Sequence, residues 1–510
     1  MCSSRATSLD GYGDEIVTSP LLSGRQSGPA TPSVSVDMAE STNHKKRDIL
    51  IRLTKALITY GSPTYRLEKY MKSVAAALDL ERTQFVILHQ TLFTGFPVAV
   101  PIVGGSSTEI ESTSFSPLLE EWNMEKLESV TELINDLKNG DVSPDSAEGR
   151  LNVIDGCRST FSSTLANLVA FPLQAGVSSV LFFGGNWLSF ALTVVVGLFA
   201  GVMQCLPSLA NLRVRKNNAR PLSFLASSDL SVLQSFLAAA VSSFVARILS
   251  YKFATDQFRQ CFGTLLMGSV VFLLPGVDLV EGAMDVATGN SISGVAKWGN
   301  AVVQTILIGF GIHLGQGIAF WIPRDTEVMC NHPVINQDDF WQDLTGGGIG
   351  KLLLISSTTL LLAVCFCILL KCSLKQTPIC ILAVVVAWVV NGVVGTSSGF
   401  EMSSFAASFA VELLSNIYAK AFNRSSTPPT LCGVFVIVPG ALGLQGVLSL
   451  WKDAPGNGGQ VSNSGEFAGQ VVKVTMGILV GILLSHLIVF APSPRGRRKS
   501  LAEVPAHFRG

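Results

Sequence analysis

Apolar residues in this chain gather into long, nearly uncharged blocks, and the blocks begin only after residue 160. Ten can be read, near 164–183, 188–206, 230–250, 260–282, 294–322, 348–370, 377–396, 401–420, 430–450 and 467–490. Each is close to the ~20 residues an α-helix needs to cross a hydrocarbon core. The third and eighth are richer in Ala and Ser, which suits the interior of a helix bundle.

Before residue 160 the pattern changes. "RDILIRLTKALITYG" has apolar positions at helical spacing and stops at Gly61. "SPTYRLEKYMKSVAAALDL" predicts a second amphipathic helix, with Ser62 as N-cap and Pro63 at the first helical position. "TQFVILHQTLFTGFPVAVPIV" is β-branched and aromatic and predicts one or two strands. The stretch 124–154 predicts a helix, a turn at Asn139-Gly140 and another helix. Residues 1–45 are rich in Ser, Thr, Gly and Pro, with no apolar core of the length a secretory signal needs. They are expected to form a disordered tail that stays in the cytosol.

The expected fold is therefore an all-α polytopic membrane domain behind a small α/β or α+β cytosolic domain. The divisions run as tail 1–45, soluble domain 46–160, five spans over 161–322, an extracytosolic loop 323–347, five spans over 348–491, and a basic tail 492–510. Composition agrees: 48% of residues are hydrophobic and 14% charged, against roughly 25% charged in soluble domains. Formal net charge is zero, which gives no footprint for nucleic acid.

Lys and Arg set the orientation. With the front end inside, the inner loops hold Arg213, Arg215, Lys216, Arg220, Lys297, Lys371, Lys375, Lys420 and Arg424, and the tail adds Arg495, Arg497, Arg498, Lys499 and Arg509. The outer loops hold Lys252, Arg259, Arg324 and Lys452. Both termini are thus expected in the cytosol, with the plasma membrane and endomembranes equally open.

Two stretches repeat one pattern. "FLLPGVDLVEGAMD" (272–285) and "VIVPGALGLQGVLS" (436–449) each place a Gly six residues after Pro-Gly, and Glu281 aligns with Gln445. They fall in the fourth and ninth blocks, five spans apart, so they run in opposite directions: the signature of an inverted 5+5 repeat. Pro removes a helical hydrogen bond and Gly lets the chain bend. Freed backbone groups are costly against lipid but can bind a ligand where they line a cavity. Pro275, Gly276, Pro439 and Gly440 are therefore expected at a central cavity. Glu281 and Asp285 are expected to point into it, with Gln445 opposite. Asp278, Glu281 and Asp285 share a helix face, and acids at membrane depth are usually functional; Asp285 equally marks the inner interface.

Other candidates carry less. Cys365, Cys367, Cys372 and Cys380 sit in or beside apolar runs and read as small packing residues, so the ten cysteines give neither a disulfide nor a metal framework. Gly311 and Gly315 in "GFGIHLGQG" lack a βαβ context and read as a small-residue helix contact. The front end shows no nucleophile–base motif and the chain no Walker motif, so no catalytic residue and no cofactor are expected.

"GSPTYRLEKYM", "LKNGDVSPDSAEGRLNVI", "FFGGNW" and "LLPGVDLVEGAMDVATGNSISG", in this order over roughly residues 48–490, resemble the threonine/serine exporter family. Its fungal branch includes the pheromone-regulated membrane protein 10 type. The resemblance implies a soluble N-terminal domain, ten spans and amino-acid export. The expected function is secondary export of small polar solutes such as threonine or serine. Expected partners are that solute, protons as coupling ion, the lipid bilayer and a second copy of the chain. Two alternatives stand beside it: a membrane-tethered hydrolase using the front end, and a non-transporting membrane organiser or signalling protein.

Overall fold

The computed structural model describes residues 33–80, 83–88, 91–101, 107–117, 122–161, 164–217, 231–253, 262–319, 321, 349–438, 440, 442, 444 and 462–490. It is 84% helical. The chain divides into two compact units: Met1–Asn167 with Met284–Gly299 and Ile368–Lys375, and Leu168–Ala283 with Asn300–Cys367 and Gln376–Gly510.

The first unit begins with helix α1 (Ser33–Thr59), which starts inside the stretch expected to be a tail. Leu50, Leu53 and Leu57 are fully buried along one of its faces. The helix closes through Gly61, at φ +87°, with Gly61 N–H bonded to Ile58 O and Ser62 N–H to Leu57 O. That use of Ser62 explains a difference at α2 (Thr64–Ala77). Its N-cap is Pro63 rather than Ser62, with no side-chain cap, so Pro63 stands one position earlier than the sequence predicts. Leu67, Met71 and Val74 form the buried face of α2.

Strands β1 (Gln84–Leu88), β2 (Thr91–Pro101) and β3 (Ser107–Pro117) make an antiparallel sheet in the order β1-β2-β3. The sequence pattern shows the first two but not β3. In "STEIESTSFSP" the apolar positions are Ile110 and Phe115, five apart, so the period-2 signal is missing. Pairing supplies what periodicity lacks: Ile110 lies opposite Val98 and Phe115 opposite Phe93. Helices α3 (Met124–Asn139) and α4 (Pro144–Gly156) follow, joined through Gly140 in the left-handed conformation, as Asn139-Gly140 predicts. Asn123 and Ser143 cap them.

The second unit contains α5 (Thr164–Leu181), α6 (Trp187–Asn217), α7 (Ser231–Lys252) and α8 (Phe262–Val270). A short 3₁₀ turn, Val271–Leu273, leads to α9 (Gly276–Ala287), which is followed by α10 (Ser291–Ile318) and α11 (Ile349–Leu369). The unit ends with α12 (Thr377–Phe422), α13 (Thr427–Ile437) and α14 (Ser462–Phe490). Helices α9, α10 and α11 each contribute residues to both units.

Among the described residues, six helices are long and apolar enough to cross a membrane, or seven if the bent pair of α8 and α9 counts as one span. The 46-residue α12 is interrupted at Gly399, whose φ of 80° and ψ of 170° are not helical. This break falls between the seventh and eighth apolar blocks. A side chain with a Cβ would be strained in that conformation. Val303, Ile306, Phe310 and Leu314 form an exposed apolar stripe on α10, the surface that lipid covers in a spanning helix.

Small residues let the helices approach. A Cβ on Gly311 would lie 2.5 Å from the Phe236 carbonyl oxygen, and one on Gly315 would fall inside the radius of the Ala240 carbonyl oxygen. Ser243 Oγ donates to Ile312 O at 2.8 Å across the same contact. Gly311 and Gly315 are thus the α10–α7 helix contact that their spacing predicts.

Candidate functional site

In the second unit, α8 and α13 end alike. Leu274 and Val438 are both extended, at φ −76°, ψ 135° and φ −66°, ψ 144°. Each precedes a proline, whose ring disfavours helical backbone in the residue before it. The axis bends by 44° between the segment Phe262–Leu273 and α9.

The two breaks meet. A Cβ on Gly276 would lie 3.0 Å from Val438 Cγ2 and 3.1 Å from Gly440 N; one on Gly440 would lie 3.0 Å from Leu274 Cβ. Just before them, Phe272 and Phe435 stack with ring centroids 5.2 Å apart and planes 16° apart, and Phe366 and Phe171 pack against Phe272. Pro275 and Gly276 are buried, and Gly276 meets Val438 and Gly440. Pro439 and Gln445 lie outside the described residues.

Three acids occupy α9. Asp278 and Glu281 are half-buried. Asp285, one turn beyond Glu281, is 0% exposed and belongs to the first unit. There α9 ends in a tight reversal: Gly289 takes φ +100°, Asn290 N–H bonds Asp285 O at 2.8 Å, and Thr288 Oγ1 donates to Met284 O at 2.9 Å. The reversal brings the start of α10 back against the carboxylate. Ser293 Oγ donates to Asp285 Oδ2 at 3.3 Å, and Lys297 Nζ lies 3.2 Å from the same oxygen. Lys297 also donates to Thr64 Oγ1 at 2.9 Å.

Thr64 opens α2 within "GSPTYRLEKYM". One turn later Glu68 Oε2 accepts from Asn290 Nδ2 at 3.4 Å, while Glu68 Oε1 accepts from Lys72 at 2.6 Å. The Lys72 ammonium holds the Glu68 carboxyl below its ordinary value against the opposing push of partial burial, and the Asn290 amide adds to the lowering. The stretch with the family-like pattern is therefore the one that grips the α9–α10 reversal.

The same unit makes a second grip. Met124 and Glu125 N–H, two of the orphan donors of the first turn of α3, bond Leu370 O at 3.1 Å and Lys371 O at 3.0 Å. The Ser373 hydroxyl donates to the buried Glu128 carboxylate. Glu125 accepts from Thr160 N–H at 2.6 Å and from its hydroxyl at 3.1 Å.

Sequence reasoning did not connect Lys297 with Asp285 or Thr64: twelve residues separate Lys297 from the acid, and Lys297 reads as a loop charge. Nor did it pair Glu412 with Thr430, whose hydroxyl donates to the buried Glu412 carboxylate at 2.7 Å in the second unit. Thiols that could hold a metal converge elsewhere in the second unit, at Cys367, Cys380 and Cys432.

A threonine/serine exporter family profile matches residues 48–213 and 224–319, and a second, described as "Threonine/Serine exporter, ThrE", matches residues 356–488. Among curated relatives, the pheromone-regulated membrane protein 10 of Debaryomyces hansenii is 25% identical over 476 residues, covering 90% of this chain and 43% of the relative. That of Eremothecium gossypii is 23% identical over 500 residues, covering 95% and 61%. The chain thus spans about half the length of these relatives. No solved structure matches. The two profiles together cover most of the chain in order, and the chain belongs to the threonine/serine exporter family.

Proposed function

We propose that the chain is a secondary exporter of small polar solutes such as threonine or serine, coupled to protons and built as ten spans in an inverted 5+5 repeat with cytosolic ends. The observation that carries this reading is the close approach of Gly276 and Gly440. Two helices that break where they touch release backbone groups at one place, and discontinuous helices of this kind coordinate substrate in inverted-repeat transporters. The extended residues before the two breaks give each half-helix a hinge. Glu281 and Asp278 supply acids on the helix that starts at the crossing, and acids at membrane depth mark ion and proton pathways. Asp285 serves differently: paired with Lys297, it ties α9 to the "GSPTYRLEKYM" helix. The front end thereby regulates transport by holding or releasing the α9–α10 reversal.

The test is flux. Purified full-length protein in sealed liposomes is expected to move threonine or serine faster when a pH gradient is imposed. Glu281→Gln with Asp278→Asn is expected to abolish the pH-driven component and to spare exchange at equal pH, which needs no net proton movement. No flux of any small polar amino acid above protein-free liposomes would sink the exporter reading. Unchanged pH dependence in the folded double variant would remove the carboxylates from the coupling.

A further inference from the structure

Within one buried cluster of four thiols, three come from three helices of the second unit. Cys367 lies near the C-terminal end of α11, Cys380 in the first turn of α12, and Cys432 within α13. Their Sγ atoms lie within 4.8 Å of one another, all three are buried, and none is in a disulfide. Cys365, two residues from Cys367 on the same helix, does not belong to the group. We propose that Cys367, Cys380 and Cys432 form a thiolate site for a thiophilic d10 cation of the Zn(II) or Cu(I) class, which clamps the start of α12 and the broken helix α13 to α11.

The chemistry fits in four respects. Metal–sulfur bonds of about 2.3 Å bring the sulfurs of one ion to about 4 Å apart, so closing the site asks for side-chain adjustment rather than movement of helices. The donors are all sulfur, which selects soft metals over Mg²⁺ or Ca²⁺. Charge is contained: three thiolates on Zn(II), or two thiolates and a thiol on Cu(I), leave one negative charge. The N-terminal end of α12 carries the positive end of its helix dipole beside Cys380. Gln376, one turn before Cys380, is fully buried with neither of its amide atoms hydrogen-bonded. Its amide is a spare donor on the helical turn that leads to Cys380, of the kind the outer partners of metal ligands supply. Binding releases one proton for each thiol that becomes a thiolate and involves no change of oxidation state.

The experiment loads the purified full chain with Zn(II) or Cu(I), removes loose metal by desalting, and measures retained metal by elemental mass spectrometry. Co(II) serves as a spectroscopic stand-in through its sulfur charge-transfer absorption. Wild type and Cys365→Ser are expected to retain one equivalent and to show the absorption, whereas Cys367→Ser, Cys380→Ser and Cys432→Ser lose both. Where a serine variant does not fold, wild type alone decides. Bound metal should protect these three cysteines from alkylation, read peptide by peptide, and leave Cys365 labelling unchanged. Failure of wild type to retain either metal, retention by the triple serine variant, or equal alkylation with and without metal each overturns the proposal. Loss of metal without loss of amino-acid flux would still uphold it, because the site does not depend on the transport reading.

Discussion

Helix α9 begins at Gly276, where the neighbours are Val438 and the Gly440 backbone, and carries Asp285 in its last turn, where they are Ser293 and Lys297. The first end is held by shape: there is no side chain, and the space a Cβ would need is already filled. The second is held by charge: a carboxylate with no exposure, an ammonium at 3.2 Å and a hydroxyl beyond it. Crowding and charge fail differently. A crowded contact worsens gradually as atoms are added, while a buried ion pair fails abruptly when one partner goes, because the remaining charge has lost both water and its counter-ion. One helix thus joins a yielding contact to an unyielding one, an arrangement that suits a hinge with an anchor.

Breaking the anchor should cost most. Lys297→Ala leaves Asp285 buried without its cation, a change that typically costs about 3–5 kcal/mol. Thermal unfolding in detergent should show a large drop in midpoint. Lys297→Met combined with Asp285→Asn should recover much of it, since removing both charges lifts the desolvation penalty. If the double variant is as unstable as Lys297→Ala, the ion pair is not what holds this end.

Crowding the hinge should cost less. Gly276→Ala places its Cβ 3.0 Å from Val438 Cγ2 and 3.1 Å from Gly440 N, and the second neighbour is backbone. Overpacking of this kind costs about 1–3 kcal/mol. Gly299→Ala, on α10, meets nothing within 4 Å and should stabilise by up to about 1 kcal/mol through helix propensity. Equal effects of the two substitutions in the same melting assay would show that the Gly276–Gly440 approach is not a tight contact.

The hinge was legible in the sequence and the anchor was not, for a physical reason. Pro-Gly acts on the backbone next to it, so the pattern around Pro275 and Gly276 announces a break without knowledge of what it faces. An ion pair needs two side chains brought together by a turn. Asp285 stood out as an acid near membrane depth, but Lys297 became its partner only because Gly289 reverses the chain. The same holds for Cys432, which lies 52 residues beyond Cys380 and shares no local pattern with it. Strand β3 escaped because its stability comes from register with β2 rather than from its own alternation. The Gly311–Gly315 contact was legible because four-residue spacing on a helix is itself the contact geometry.

The smallest effect belongs to the rim of the anchor, and its sign separates it from the rest. Glu68 accepts from Lys72 and from Asn290, and Lys72 first of all holds its carboxyl below the ordinary value of 4.5. A carboxyl whose pKa is lower in the folded chain contributes stability above its unfolded pKa and loses it as pH falls through the folded one. Glu68→Gln keeps the size and an acceptor oxygen but removes the charge. Its melting midpoint should therefore lie slightly below wild type at neutral pH, and the gap should close as the medium is taken below pH 4.5. Glu68 is partly exposed to solvent, so the gap should also shrink in high salt. Asp285, by contrast, is shielded from solvent, and the Lys297→Ala deficit should persist in salt. A Glu68→Gln gap that ignored both acid and salt would mean that Glu68 acts by packing, and that the grip of α2 on the reversal rests on Thr64 and Lys297 alone.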